Sequence, residues 1–193
     1  MRKLPVCCPC RQALSLVAAT VMFGVSLLYW FGPNPATHAQ EKSPSAEERL
    51  RQLKLDLPAV GKPIATYVSA VRVGDMLYVS GTGPGKGVVG RLGQDYDVNQ
   101  GKAAARQVGL HVLAIVKAEL GSLDKVQRLV KTLGMVNATP DFKEHPRVIN
   151  GFSDLMVEVF GAENGKGARS AVGMASLPGG IPVEIECIFQ VRK

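Results

Sequence analysis

Gly167-Ala168-Arg169-Ser170-Ala171-Val172-Gly173-Met174-Ala175-Ser176-Leu177-Pro178-Gly179-Gly180-Ile181-Pro182-Val183-Glu184-Ile185-Glu186-Cys187 is the stretch on which the reading of this chain turns. Two strand-like runs flank a Leu-Pro-Gly-Gly turn signal. Side chains along a strand alternate between faces, so Glu184 and Glu186 share one face while Val183, Ile185 and Cys187 take the other. The pattern predicts a terminal hairpin that carries a guanidinium on one strand and carboxylates on the next. In such a site the guanidinium would hold an anionic substrate and a carboxylate would handle a proton or a water. The plainer role for Arg169 is an ion pair with Glu184 or Glu186.

Working outward from the C-terminus, Val148 to Phe160 reads as a helix, with Phe152, Leu155, Met156, Val159 and Phe160 inward, and Gly161 to Gly167 as a turn. Asp141 to Pro146 reads as loop and Val126 to Met135 as a strand. A long helix from about Gln100 to Leu120, capped by Asn99 and stopped by Gly121, buries Val108, Val112, Ile115, Val116 and Leu120. Ser69–Val73 and Met76–Ser80 are strands joined by the two-residue signal Gly74-Asp75. Residues 32–46 read as linker, and Ser45-Ala46-Glu47-Glu48 as a capping box that opens a short helix to about Leu55. The core order is β-β-α-β-α-β-β, an α+β layer with helices on one face of a mixed sheet. Met174, Val183, Ile185 and Phe189 leave more apolar sheet surface than two helices can cover, which predicts self-association.

The chain has 193 residues and a formal net charge of +7. Arg2, Lys3 and Arg11 supply three of those charges, leaving +4 for residues 40–193. That is too weak for a nucleic-acid partner, and no basic-aromatic track is present. The basic flank, the uncharged run of 19 residues from Ala13 to Phe31, and Thr37-His38-Ala39 before Gln40 read as an export leader. The alternative is a membrane anchor through residues 13–31, because such a run just spans a bilayer. Either way the domain is expected outside the cytoplasm, periplasmic or extracellular. The division is 1–39 leader or anchor, 40–60 linker and short helix, and 61–193 folded domain.

Several chemistries lack their residues. Cys7, Cys8 and Cys10 precede the apolar run, which leaves Cys187 alone in the remainder as an inert core residue. His38, His111 and His145 are scattered, so no metal site is expected. Gly85-Lys86-Gly87-Val88-Val89-Gly90 matches a phosphate-loop pattern formally, but no helix opens after it, so no nucleotide or other cofactor is expected. Ser80 and Ser170 sit in no nucleophile elbow. Asn137-Ala138-Thr139 is a formal glycosylation sequon.

From Gly61 to Lys193 the chain resembles the RidA/YjgF family, also called the endoribonuclease L-PSP family. The resemblance is carried by Tyr67-Val-Ser-Ala-Val-Arg-Val-Gly-Asp-Met-Leu-Tyr-Val-Ser80-Gly81, by Asp141-Phe142 with Val148-Ile149-Asn150, and most by Ala168-Arg169-Ser170, Leu177-Pro178 and Val183-Glu184-Ile185-Glu186. It implies a chorismate-mutase-like α+β fold and a homotrimer with sites between subunits. It also implies hydrolysis of reactive enamines and imines, such as small 2-imino acids, to 2-keto acids and ammonia. Carried over by position, Arg169 and Glu184 are the catalytic pair, and Tyr67, Ser80, Gly81, Asn150 and Arg169 bind substrate. A trimeric binding protein that holds a small carboxylate ligand without turnover is the second reading. An endoribonuclease is a distant third, because neither a histidine pair nor a basic track supports it. The expected partners are a small carboxylate-bearing ligand and further copies of the chain, with membrane contact only through the N-terminal segment.

Overall fold

A computed structural model describes residues 43–63 and 65–193. The leader or anchor expected over residues 1–39 lies outside the described residues. Ser43–Lys193 forms one compact unit.

Strand β1 (Ala70–Val73) and strand β2 (Met76–Thr82) form the hairpin expected from Gly74-Asp75. Helix α2 (Val98–Leu120) follows β2, and the short helix α1 (Ala46–Gln52) precedes the sheet. Strand β3 (Val126–Asn137), helix α3 (His145–Gly165), strand β4 (Ala168–Met174) and strand β5 (Val183–Val191) complete the order. The α+β architecture is the one the sequence predicts. The five-stranded mixed sheet runs β1-β2-β5-β3-β4.

That order corrects the expected terminal hairpin. β4 and β5 do not pair, because β3 lies between them, parallel to β4 and antiparallel to β5. Helix α3 is a crossover that returns the chain parallel to β3 on its outer side, and parallel neighbours need such a connection. β5 alternates Val183, Ile185, Cys187, Phe189 and Val191, all buried, and so occupies the middle of the sheet. β4 is short, largely exposed and rich in small residues, and takes the edge.

Helix boundaries shift for local reasons. Asp97, not Asn99, caps α2, with its carboxylate accepting from Gln100 N at 2.8 Å while the Gln100 side chain returns a bond to Asp97 N. Gly121 closes α2 in the left-handed conformation, at φ 79°. The capping box at Ser45 and Glu48 is present as expected. α3 begins at His145, inside the segment expected to be loop, because Pro146 is tolerated in a helix's first turn. At Gly161, where φ is 81° and ψ is 163°, the helix breaks as expected, and a short helical segment then runs on to Gly165 within the expected turn.

Both long helices cover one sheet face. Val108, Val112 and Val116 from α2 and Phe152, Leu155, Met156 and Val159 from α3 pack with Val183, Ile185, Cys187 and Phe189 in one core. Three of the residues expected on the uncovered face, Val183, Ile185 and Phe189, are therefore fully buried under the helices. The exposed apolar side chains of the open face are Val71, Val73, Tyr78, Val172 and Met174. Cys187 is a free thiol in the core, and burial pushes its ionisation well above the ordinary thiol range.

Candidate functional site

Register decides where each candidate residue faces. Glu184 lies opposite Met135 and Glu186 opposite Leu133, on the open face. Arg169 lies opposite Thr132, which pairs with core-facing Cys187, so Arg169 belongs to the helix side of the sheet. Within one chain the guanidinium and the carboxylate therefore stand on opposite faces, two strands apart. The predicted ion pair of Arg169 with Glu184 or Glu186 is not formed.

The candidates fall into two groups. In the first, Arg169 Nη1 donates to Oδ1 of Asn150 at 2.9 Å and to Oγ of Ser153 at 3.0 Å. Asn150 and Ser153 are three apart on α3 and so share one helix face. Both partners are neutral oxygens, so neither offsets the guanidinium's charge, and the side chain is exposed. Ser153 escaped the sequence reading. Its signal was its i+3 spacing from Asn150.

The second group gathers at the end of β2. Val79 pairs with Cys187 and Thr82 with Ile185, so β2 carries one extra residue there, a bulge at Ser80-Gly81. The Glu184 carboxylate lies directly on Gly81, and a Cβ at that position would overlap Oε1. Glycine is what lets the carboxylate lie against the backbone. Ser80 Oγ donates to the Val68 carbonyl at 2.7 Å, which leaves its lone pairs to accept. Tyr67 is half exposed, and with Ser80 and Gly81 it lines a cleft of about 190 Å³.

Glu184 is a half-buried carboxylate without a hydrogen bond or ion pair among the described residues. Burial, and second the charge of Glu186, hold its carboxyl above the ordinary glutamate range. A carboxyl raised in this way holds a proton more firmly than an ordinary glutamate and is a stronger base once ionised.

The glycine-rich segment after β2 carries no phosphate-loop geometry. Its Gly90 N–H donates to the Gly180 carbonyl at 2.9 Å, tying the loop to the turn before β5. Asn137 of the sequon is buried, with Nδ2 donating to Gly90 O at 3.3 Å. Among the described residues no group of three or more His, Cys, Asp or Glu side chains is placed to hold a metal ion.

The family model described as "YjgF/chorismate mutase-like, putative endoribonuclease" matches residues 47–188. A Trypanosoma cruzi protein, TCP17, is 44% identical over 147 residues, covering 74% of this chain and 92% of that protein. A 2-iminobutanoate/2-iminopropanoate deaminase of Dermatophagoides farinae is 30% identical over 143 residues, covering 72% of this chain and 95% of that protein. A crystal structure of an Agrobacterium tumefaciens protein of unknown function superposes with a TM-score of 0.69 at 40% identity, covering 77% of this chain and 92% of that one.

Proposed function

The chain belongs to the YjgF/chorismate mutase-like family, and on that footing we propose that it hydrolyses small 2-imino acids to 2-keto acids and ammonia. The observation that carries this reading is that Arg169 and Glu184 are not spent on each other. The guanidinium is aimed by two neutral oxygens, and the carboxylate rests on a glycine with no cation paired to it among the described residues. A merely structural pair would neutralise both charges. The deaminase named among the relatives supports the same chemistry.

Arg169 grips the substrate carboxylate through parallel charge-assisted bonds, a geometry lysine does not reproduce. Glu184 takes a proton from water as the water oxygen bonds to the imine carbon. The imine enters with its nitrogen protonated, so the C=N electron pair moves to nitrogen and gives a neutral carbinolamine. Glu184 returns its proton to that nitrogen. The C–N bond then breaks as the hydroxyl oxygen forms the carbonyl, and the hydroxyl proton leaves with ammonia as ammonium. Tyr67, Ser80 and Asn150 supply hydrogen bonds to water, nitrogen or carboxylate. Imines hydrolyse readily unaided, so positioning supplies most of the required effect.

Because the two groups lie on opposite faces of one sheet, a complete site needs Arg169 from one copy and Glu184 from another. The test is ammonia release by the purified full chain from 2-imino acids generated in situ by an amino-acid oxidase. Arg169→Ala and Glu184→Ala are each expected to lower turnover by about 10²-fold or more. A folded, oligomeric wild type that turns over no imino acid, yet melts higher with a small carboxylate in an Arg169-dependent way, would make it a binding protein instead.

A further inference from the structure

The cleft at Gly81 has a wall that the deaminase chemistry does not use. Beside Tyr67, Ser80 and Gly81 it is lined by Lys62, from the segment before β1, and by His111, from the middle of α2. Neither side chain has a hydrogen-bond or ion-pair partner among the described residues, and the lining contains no acidic residue. The imidazole is brought there by the glycine-rich loop. Gly85 has φ 110°, and a Cβ on it would come within 3.1 Å of His111 Nε2, so the loop runs tightly across the ring. Glu184 is not among the residues that line this cleft; it meets the segment at Gly81, and His111 meets it at Gly85.

We infer that Lys62 and His111 form a second anion subsite, which makes the substrate a 2-imino acid whose side chain ends in a carboxylate. The inference rests on the deaminase reading for the first half of the site. In that arrangement Arg169 of a neighbouring copy holds the carboxylate beside the imine carbon, and Glu184 addresses that carbon. The distal carboxylate meets an ammonium and an imidazole instead of an apolar wall. A neutral alkyl side chain would leave both polar groups solvated and gain nothing from them. A distal carboxylate gains charge-assisted bonds, and such bonds are among the stronger ones a polar cleft offers. Lys62 and His111 are thus specificity-determining residues and take no part in the bond changes.

The experiment compares kcat/KM for imino acids made in situ from aspartate and glutamate with those made from alanine and methionine. The purified full chain and the double variant Lys62→Ala/His111→Gln are assayed in parallel. The expected result is a preference of about tenfold or more for the acidic pair, with that ratio falling by about tenfold in the double variant. A wild type that prefers neutral imino acids overturns the inference and leaves the deaminase reading standing. So does a double variant that slows both classes equally, which is what a structural role would do. If no imino acid is turned over, calorimetry with 2-oxoglutarate against 2-oxobutanoate decides. Tighter binding of the diacid, lost in the double variant, keeps the subsite while the deaminase reading falls. Equal binding removes both.

Discussion

Glu184 and Glu186 are alike in sequence and differ in surroundings. On the same face of β5, Glu186 is exposed, whereas Glu184 is half buried against Gly81. Burial first and the Glu186 charge second raise its carboxyl above the ordinary range. A group acting as base is active only when ionised, so turnover is expected to fall as pH drops through this raised value. Glu186→Gln removes the repelling charge and makes ionisation easier. The acid limb of the kcat/KM profile is then expected to move to lower pH, read from rates between about pH 4 and 8. An unmoved limb would assign it to another group. Gly81→Ala is the companion change. The new methyl takes the space of Oε1, and the flexible end of Glu184 gives way where backbone would not. Turnover is expected to drop by at least about tenfold, because small misplacements of a reacting group cost that much, while Tm stays within a few degrees. A large fall in Tm would instead make Gly81 a folding position.

Among the elements, glycines also set how closely α2 and α3 approach. A Cβ on Gly151 would overlap the carbonyl oxygen of Lys102 and stand 3.1 Å from Arg106 N, and neither can swing aside because both are helix backbone. Gly151→Ala is expected to destabilise by about 2–3 kcal/mol and to lower Tm by about 5–10 °C in a thermal melt. Gly121→Ala meets no atom within 4 Å and suffers only from its φ of 79°, so about 1 kcal/mol is expected there. The same elements show what was legible in advance. Alternation in β5 and the 3.6-residue stripes of α2 and α3 were readable because a strand or helix face is a local property. The pairing of β4 was not, since Pro178-Gly179-Gly180 is a sound local turn whose two arms are separated by β3, a strand more than 40 residues upstream. The error carried to the site. Arg169 shares a face with Cys187 and not with Glu184, a parity that only the β3 register reveals. His111 was passed over because a lone histidine in a helix carries no periodic signal for the loop that crosses it.

For the whole molecule, the half-sites and the open sheet face lead to the same requirement. Val71, Val73, Tyr78, Val172 and Met174 expose apolar surface there, and Val71 and Tyr78 line a hollow of about 530 Å³ that also holds Lys131 and Glu186. An apolar band of this kind favours association, and association is what would set one copy's Arg169 against another's Glu184. Subunit mixing tests the arrangement directly. Arg169→Ala and Glu184→Ala chains carrying different tags are co-expressed, and the mixed oligomer is isolated by sequential affinity steps. Each variant alone lacks one half of every site. In a closed ring of three copies, the number the family resemblance implies, a mixed oligomer of either composition has one site in three that pairs an intact Arg169 with an intact Glu184, so about a third of wild-type turnover is expected back. If each copy built its own site, every site in the mixture would lack one residue or the other and the mixed oligomer would stay inactive. Tyr78→Lys provides the second reading of the same geometry. A charge placed on the open face is expected to give monomers in light scattering and to abolish turnover with both catalytic residues intact, whereas a fully active monomer would return the whole site to a single chain.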